Sequence, residues 1–398
     1  MKPLRVLEVG ALPFPTRQGT QALLREQCEA LARRGNEVHL LVYAHCAYPY
    51  SPPGYSLHRL ADWPRERSLR SGPSWRKAVL DIVLAAEVRR LSERLRPDVV
   101  HAHNYEGLVA ALAARQLAPV VYHAHTLFEH ELPTFAPPAA RLAIRAIGGA
   151  MDRALPRRAA LTLAVSPRLA MELVRHGHPP DLVEPSLPGF DVPPQRPGDG
   201  DRVRRRLGLH GCEVVGYAGN LDSYQGLPWL VDAVAELARS RPALRLLVIT
   251  ASDTRVLEQG MAARGVADRL RLVPHGSFTE AFEHIGAAHV CAVPRTAPGG
   301  IPIKLLACLA AGRPVVSTES GTAGLMLGDA VTVVADRDPV ALARGVAWLL
   351  DHPAEAERRG AAGRAIVERD FSWDRRGEVL EDQLRRAATT KQNRQLPR

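Results

Sequence analysis

The sequence contains no long apolar run. No apolar run among its 398 residues approaches the roughly 18 to 20 residues that a membrane-spanning helix needs. The first stretch, MKPLRVLEVGALPFP, also lacks the apolar core and the small-residue cleavage site of a signal peptide. These absences predict a cytoplasmic protein that does not cross a membrane.

Cysteine is scarce and scattered. The five cysteines never form a C-x-x-C pair and are odd in number, which argues against a disulfide framework and a cysteine-based zinc site. We expect reduced, mostly buried thiols, as in a cytoplasmic protein. They are Cys28, Cys46, Cys212, Cys291 and Cys308.

Aromatic residues make up only 5% of the chain, whereas 46% of the residues are apolar, as in an ordered globular protein. The formal net charge of +10 suits phosphate-bearing ligands, nucleic acid or anionic lipid. Because few aromatic rings lie beside the arginines, platforms for base stacking are not evident. We therefore do not expect nucleic acid as a partner.

Acidic residues are absent from residues 295–317, RTAPGGIPIKLLACLAAGRPVVS. The pattern predicts a glycine-rich loop, a helix that begins near Pro302, and a buried strand. Lys304 falls in the first turn, where the helix dipole disfavours a cation unless an anion lies in front of it. The stretch therefore indicates a phosphate site, and the alternative is a surface lysine that points away. The backbone donors of this site would be Gly299, Gly300 and Ile301.

Strands and helices alternate along the whole chain, which predicts an α/β protein with parallel sheets and right-handed crossovers. A segment rich in proline, glycine and aspartate at 185–201 interrupts the alternation. We predict two Rossmann-like, doubly wound domains, with a last helix that packs back on the first and a disordered tail. The boundaries are 1–190 for the first domain, 200–371 for the second, about 372–388 for the last helix and 389–398 for the tail.

Ligands of such sheets bind beyond the carboxyl ends of the strands, so we expect both mouths to face one cleft. The first loop of the N-terminal domain opens a helix at Gly19 and Thr20, whose backbone N–H groups suit an anion or the acceptor. In the second domain, YAGNLDSYQG ends a strand at Ala218, and Gly219 allows a ligand to approach closely. Tyr224 and Gln225 then lead into a helix.

Histidines cluster after two neighbouring strands of the first domain, in VVHAHNYEG and VVYHAHTLFEHELP. Histidines two apart on a strand share a face, and a group of this size could ligate a metal. The alternative is buried imidazoles that hydrogen-bond to protein groups, and we expect no metal. We interpret His125 as a polar group that faces a reacting sugar. The cluster consists of His101, His103, His123, His125 and His130.

These segments, in this order, resemble the retaining glycosyltransferases of family four, which have the GT-B fold. PVVYHAHT is similar to the family's strand that ends in an active-site histidine, which maps to His125. GYAGNLDSYQGLPWLVDAVAEL and GGIPIKLLACLAAGRPVVST resemble the start of its second domain and its donor-site segment. FSW at 371–373 resembles the sequence before its last helix, and the resemblance runs nearly end to end.

The resemblance implies transfer of a sugar from an activated, usually nucleotide-diphosphate donor to an acceptor hydroxyl, with retained configuration and no metal or other cofactor. It implies that the first domain holds the acceptor, which for such enzymes includes lipid-linked and cell-envelope glycans. The acceptor-side residues are then Gly19, Thr20, His103, Asn104, Tyr105 and Glu131. The donor-side residues are Gly219, Asn220, Tyr224, Gln225, Arg295, Gly299, Gly300, Ile301 and Lys304.

Four charged donor contacts of the family are replaced in this sequence. An arginine and a lysine that contact the diphosphate correspond to Asn220 and Gln225. Two glutamates, which lie near the sugar and on the ribose, correspond to Gly299 and Ala307. Since one charged hydrogen bond is worth about 1.5 to 3 kcal/mol, these changes leave three hypotheses. They are a transferase with a rewired donor site, a non-catalytic GT-B module that partners another transferase, and an enzyme related to sugar-nucleotide epimerases.

Basic residues accompany tryptophan in DWPRERSLRSGPSWRK, and RLAIRAIGGAMDRALPRR predicts a basic amphipathic helix. Both patterns suit the surface of an anionic membrane, and a solvated basic face is the alternative. The sequence thus leaves open a peripheral association with the inner membrane face. The basic residues of the first segment are Arg65, Arg67, Arg70, Arg76 and Lys77, beside Trp63 and Trp75.

Overall fold

A computed structural model describes residues 2–16, 19–63, 74–114, 118–194, 198–274, 277–296 and 300–394. The chain divides into two compact units, the first formed by Met1–Gly189 with Trp373–Arg398 and the second by Phe190–Ser372. The second unit therefore begins inside the proline-rich segment 185–201 and not at residue 200. Gly299 of the predicted donor site, and Arg65, Arg67 and Arg70, lie outside the described residues.

The first unit contains a parallel sheet, which has seven strands in the described part of the chain, in the order β3-β2-β1-β4-β5-β6-β7. The strands are nearly continuous apolar runs because a parallel sheet is covered on both faces. They are β1 (Arg5–Gly10), β2 (Glu37–Val42), β3 (Ser56–Arg59), β4 (Val99–His103), β5 (Val120–Ala124), β6 (Leu161–Ala164) and β7 (Val183–Pro185).

Helices cover both faces of this sheet. Leu7 and Val9 of β1 join one apolar cluster, and the alternate residue Val6 joins the other, as the twofold strand period requires. The helices are α1 (Gly19–Arg33), α2 (Trp75–Leu95), α3 (Asn104–Ala113), α4 (Phe128–Glu131), α5 (Arg141–Ala154) and α6 (Pro167–Arg175). Ser74 caps α2 by accepting the N–H of Lys77.

The second unit is built on a parallel sheet in the order β10-β9-β8-β11-β12-β13. The order reverses beside β8, which lies between β9 and β11, and such a switch point is where ligands of these sheets bind. The strands are β8 (Glu213–Ala218), β9 (Leu244–Ile249), β10 (Leu270–Val273), β11 (Val290–Val293), β12 (Val315–Thr318) and β13 (Val331–Val334).

The helices of the second unit alternate with its strands. They are α7 (Asp199–Arg206), α8 (Leu227–Ala238), α9 (Arg255–Ala263), α10 (Phe278–Ile285), α11 (Ile303–Ala310), α12 (Glu319–Thr322), α13 (Pro339–Asp351) and α14 (Pro353–Ile366). The helix predicted within residues 295–317 is α11, with Pro302 at its N-cap. Gly312, two residues beyond α11, has a positive φ of 65°, as expected of a helix stop.

The last helix, α15 (Trp373–Arg394), belongs to the first unit, where Leu380 and Leu384 pack in the same apolar cluster as Leu24 of α1. The helix extends to Arg394, so the prediction of a disordered tail from residue 389 is wrong for residues 389–394, and residues 395–398 lie outside the described residues. No glycine or proline interrupts residues 378–394, which explains why the helix continues.

The fold is thus the predicted one, with two doubly wound α/β units. Among the described residues, no helix combines the length and the apolarity needed to cross a membrane.

Candidate active site

The loop after β8 approaches the start of α11 closely in the second unit. Gly219 has a φ of 131°, which a residue with a side chain rarely adopts. A Cβ atom there would lie 2.9 Å from both Cε and Nζ of Lys304. The structure therefore explains this glycine: the lysine side chain lies against its Cα.

The side chain of Lys304 is half-buried, and its amino group has protein partners. Nζ donates to the hydroxyl of Tyr217 at 2.6 Å and to Oε1 of Gln225 at 2.7 Å, and lies 4.3 Å from the centre of the Tyr217 ring. Burial, with the positive charge of Arg295 acting in the same direction, lowers the pKa of Lys304 to about 7. Since an ammonium has three donors, one remains for a ligand, and the lysine is not the surface residue of the alternative prediction.

Neutral polar groups continue the network outward from Lys304. Nε2 of Gln225 donates to Oδ1 of Asn220 at 2.6 Å, and Nδ2 of Asn220 donates to Asp222 at 2.7 Å. The same Nδ2 lies 3.3 Å from the hydroxyl of Tyr224. The side chains of Asn220 and Gln225 therefore hold each other and Lys304 in one arrangement.

Arg295 and the segment before α11 form the other side of this site. Nη1 of Arg295 donates to the carbonyl of Gly300 at 2.7 Å, and its guanidinium lies 5.6 Å from the centre of the Tyr224 ring. The hydroxyl of Thr318 at the end of β12 donates to the Arg295 carbonyl. Ile301 is buried, and apart from Gly299 the structure brings the predicted donor-side residues together in this unit.

The predicted histidine cluster is present in the first unit, and it surrounds a carboxylate. His101 and His103 on β4, and His123 opposite them on β5, are fully buried. Glu8 of β1 is also fully buried and lies 2.9 Å from Nδ1 of His101 and 2.9 Å from Nε2 of His103. These distances place Glu8 at the centre of the group.

Two imidazole pairs extend from this centre. Nε2 of His101 lies 3.0 Å from Nδ1 of His123, and Nδ1 of His103 lies 3.2 Å from Nε2 of His125. Burial and neighbouring imidazoles hold the pKa values of His103 and His123 well below the usual range. Burial, and then His101, lowers the pKa of His125 to about 3, so this ring is neutral at physiological pH.

Metal binding is one of the two interpretations of this histidine cluster, and buried imidazoles that hydrogen-bond to protein groups are the other. One nitrogen each from His101, His103 and His123 lie within 4.8 Å of one another, so the three could hold a metal ion. Five of their six ring nitrogens already contact Glu8 or another imidazole at hydrogen-bond distance. His130 is separate, because its nearest acidic neighbour is Glu172 at 3.9 Å.

The remaining acceptor-side residues are divided between surface and core. Gly19 and Thr20 open α1, and Asn104 turns from β4 into α3 with a φ of 60°, which asparagine tolerates. Tyr105 lies in the core, where its hydroxyl donates to Asp152.

Glu131 ends α4 and is half-buried. Burial, and then the nearby carboxylates Glu106 and Asp152, raises the pKa of Glu131 to about 7.

Known proteins match both units. The family model described as Glycosyltransferase Family 4 matches residues 17–193, and the model described as Glycosyl transferases group 1 matches residues 212–352. A protein named D-inositol 3-phosphate glycosyltransferase from Segniliparus rotundus is 30% identical over 381 residues, covering 89% of this chain and 82% of that protein. The chain belongs to glycosyltransferase family 4.

Solved structures agree in fold with this family-4 glycosyltransferase. Sucrose-phosphate synthase from Thermosynechococcus elongatus superposes with a TM-score of 0.77 at 19% identity and covers 97% of this chain and 99% of its own. HepE from Anabaena, solved with UDP and glucose, has a TM-score of 0.73 at 18% identity and covers 96% of this chain and 100% of its own. The GT-B fold assignment is therefore confirmed.

Two residues that belong to these sites were not predicted from the sequence of this glycosyltransferase. Tyr217 was missed because a tyrosine inside a buried strand is normally a core residue, and only the structure shows Lys304 against it. Glu8 offered a usable signal, since it is a lone carboxylate in the apolar strand RVLEVG. A buried carboxylate needs partners, and histidines on the adjacent strand are the obvious ones.

Proposed function

We propose that this protein is a retaining glycosyltransferase that moves a sugar from a nucleoside-diphosphate sugar to a hydroxyl group of an acceptor, with no metal ion or other cofactor. The observation that carries the proposal is the half-buried ammonium of Lys304, held between Tyr217 and Gln225 at the carboxyl end of β8. Its third donor and the N–H groups that open α11 suit a diphosphate, whose negative charge grows as the sugar leaves.

Neutral groups take the place of the missing charged contacts in this proposal. Asn220 and Gln225 orient each other and Lys304, so their contribution is a fixed geometry. A preorganised donor needs no rearrangement when charge develops on the leaving group. The positive charge near the diphosphate then comes from Lys304 and Arg295.

The transfer itself needs no pair of carboxylates in this mechanism. The acceptor hydroxyl loses its proton to the departing phosphate oxygen while the new bond forms on the same face of the sugar. This differs from glycosidases, where two carboxylates flank the bond. His125 is proposed as the polar group beside the sugar, where its neutral ring can exchange a hydrogen bond with a hydroxyl.

Related proteins suggest which substrates to test first. HepE was solved with UDP and glucose, so UDP-glucose is the first donor to test. The name of the Segniliparus rotundus relative suggests inositol 3-phosphate as the first acceptor. Lipid-linked and cell-envelope glycans are the second group of acceptors.

The test combines a thermal-shift screen of nucleotide sugars with a transfer assay in EDTA. We expect stabilisation by one donor, transfer that persists in EDTA, and an NMR spectrum of the product with retained anomeric configuration. Calorimetry that detects no binding of any nucleotide sugar or nucleoside diphosphate favours the non-catalytic module. Isomerisation of the donor without an acceptor favours the epimerase-like alternative.

We further propose that α5 of this glycosyltransferase docks on an anionic membrane. Leu142 and Ile147 on α5 are 83% and 57% exposed, so two large apolar side chains of this helix face away from the core. Arg141, Arg145 and Arg153 are exposed on the same helix, and Arg145 also pairs with Glu129 at 2.8 Å. An apolar surface with basic neighbours complements anionic headgroups.

Liposome co-sedimentation tests the docking. We expect binding to vesicles that contain phosphatidylglycerol, weaker binding to neutral vesicles, and loss of binding in the Leu142→Glu, Ile147→Glu double variant. Val256→Glu is the matched control, because Val256 is 81% exposed on α9 of the other unit. Equal binding by the double variant and the control would contradict the docking proposal.

A further inference from the structure

The buried cluster around Glu8 determines where each histidine carries its proton. A neutral imidazole has one N–H donor and one lone-pair acceptor, so each hydrogen bond between two rings fixes the tautomer of both. Two such chains begin at Glu8. One runs through His101 to His123, and the other runs through His103 to His125.

An unpaired atom determines which way the hydrogen bonds run from Glu8 through His101 to His123. Nε2 of His123 is buried and has no hydrogen-bond partner among the described residues. A buried N–H without a partner is rarer and costlier than a buried lone pair, so Nε2 carries the lone pair and Nδ1 carries the proton. Nδ1–H of His123 then donates to Nε2 of His101, and Nδ1–H of His101 donates to Glu8.

The second chain follows from the same carboxylate. Oε2 of Glu8 accepts from Nε2–H of His103 at 2.9 Å, which leaves a lone pair on Nδ1 of His103. That lone pair accepts from Nε2–H of His125 at 3.2 Å. Nδ1 of His125 is therefore a lone-pair acceptor.

We propose that Glu8 is a positioning residue: acting through His103, it fixes His125 as the Nε2–H tautomer, with Nδ1 ready to accept a hydrogen bond from a sugar hydroxyl. This inference rests on the proposed function, since it refines the role given there to His125. The opposite tautomer would present an N–H group to the sugar at the same place. A serine-protease triad shows how much a wrong tautomer can cost, with losses in kcat of about 10⁴-fold.

The structure contains another series of hydrogen bonds from a glutamate through one histidine to a second, and it serves as an internal control. Nε2 of His39 lies 3.0 Å from Glu37, and Nδ1 of His39 lies 3.1 Å from Nε2 of His58. The Glu37 side chain is 47% exposed, whereas that of Glu8 is fully buried. Water can replace the Glu37 carboxylate but not the Glu8 carboxylate.

The first measurement is the ¹⁵N NMR spectrum of the imidazoles in the full chain labelled with ¹⁵N-histidine. The resonances are assigned by single substitutions of the four histidines. We expect protonated Nε2 in His103 and His125, and protonated Nδ1 in His101 and His123. A spectrum in which His125 carries its proton on Nδ1, or on both nitrogens, overturns the proposal, and no Glu8 variant is needed for this result.

The second measurement uses Glu8→Gln, whose amide has one acceptor oxygen and one NH₂ donor. The NH₂ group must face a lone pair, so one of the two chains has to reverse. Reversal through His101 would bury an unpaired N–H on His123, whereas reversal through His103 moves the proton of half-buried His125 to Nδ1. We therefore expect Glu8→Gln to switch the tautomer of His125.

In the same variant we expect kcat to fall by about tenfold or more, with the KM of the donor changed by less than about threefold, because the lost contact belongs to the transition state. The matched variant Glu37→Gln should change neither quantity. An unchanged His125 tautomer in Glu8→Gln, or the same kinetic change in Glu37→Gln, overturns the proposal.

Two further outcomes are informative. One equivalent of bound transition metal in the purified protein, found by elemental analysis, overturns the proposal, because metal ligation would require a different set of lone pairs. If the wild type transfers no sugar but shows the expected tautomers and their switch, the proposed function fails while tautomer control by Glu8 is supported.

Discussion

The amino group of Lys304 lies 2.7 Å from the amide oxygen of Gln225, and this contact fixes the orientation of the ammonium. The family resemblance implies a lysine at position 225, where a second ammonium would repel the first. A glutamine instead accepts a hydrogen bond from Lys304 and donates its own N–H to Asn220. Glutamine at position 225 therefore leaves one oriented cation, Lys304, at this point of the site.

Lys304→Ala should weaken donor binding and turnover about 10- to 150-fold, because a hydrogen bond to a charged group is worth about 1.5 to 3 kcal/mol. The measurement is calorimetric affinity for the nucleotide sugar together with kcat/KM. Arg239→Ala removes an exposed cation that pairs with Glu236 on the same unit and should change neither. Unchanged donor affinity in Lys304→Ala would show that the diphosphate does not bind at Lys304.

Donor binding should take up a proton near neutral pH. Burial lowers the pKa of Lys304 to about 7, so part of the population is neutral before binding, and an anion beside the amine raises that pKa again. Calorimetry in buffers of different ionisation enthalpy measures the uptake. We expect net uptake between about pH 7 and 8 in the wild type and less in Lys304→Met.

The same group gives a stability signature with a definite sign. The ordinary lysine pKa of 10.5 applies to the unfolded chain, which therefore holds more protons than the folded chain between about pH 7 and 10.5. The contribution of Lys304 to the free energy of unfolding then rises with pH across this window. Lys304→Met should lack this rise, and denaturant titrations at several pH values would reveal it.

The fold was predictable because apolar runs and glycine stops carry it. Strands such as β8 and helices such as α1 follow from local pattern, and the parallel sheets follow from the alternation of strands and helices. Two short strands, β3 and β7, were not predicted. Their sequences, SLHR and VEP, contain one apolar residue each, so neither shows the apolar run of a buried strand.

The site was predictable only in part. Sequence order places Lys304 in the first turn of α11, and a free amine facing an anion is the simplest interpretation. Its contact with Tyr217 joins residues 87 positions apart, which no local pattern can show. The histidines were found because they repeat at strand ends, whereas Glu8 acts through contacts 93 and 95 positions away.

Gly219→Ala should disable the donor site while leaving the unit folded. A Cβ atom would lie 2.9 Å from Nζ of Lys304, so the lysine must move away from its partners. We expect donor affinity to fall about tenfold or more, as for loss of a charged hydrogen bond. The measurement is calorimetry, with the melting temperature recorded for both variants.

Gly211→Ala is the matched control for this substitution. Gly211 has a φ of 75°, and its added Cβ would have no neighbour within 4 Å. Both variants force a side chain into positive φ, which costs about 1 to 2 kcal/mol in the left-handed α region near the φ of Gly211, so both should melt earlier. Only Gly219→Ala should lose donor affinity. Equal affinities in the two variants would show that Gly219 is not part of the donor site.

Acceptor binding should depend on pH through Glu131. Burial and neighbouring carboxylates raise its pKa to about 7, so the carboxylate that can accept a bond from an acceptor hydroxyl is lost as the pH falls below 7. We expect the acceptor KM to rise between about pH 8 and 6, and Glu131→Gln to flatten this dependence. Steady-state kinetics at saturating donor provide the measurement.

Glu129→Gln is the control for this pH dependence. Glu129 lies two residues away, and its hydrogen bond with Arg145 lowers its pKa, so it stays ionised throughout the range. Its replacement should leave the pH dependence of the acceptor KM in place. The raised pKa of Glu131 also means that the folded chain holds the extra proton between about pH 4.5 and 7, so its contribution to the free energy of unfolding falls as pH rises there. A pH dependence of the KM that persists in Glu131→Gln but disappears in Glu129→Gln would contradict the prediction, because it would place the acceptor contact at Glu129.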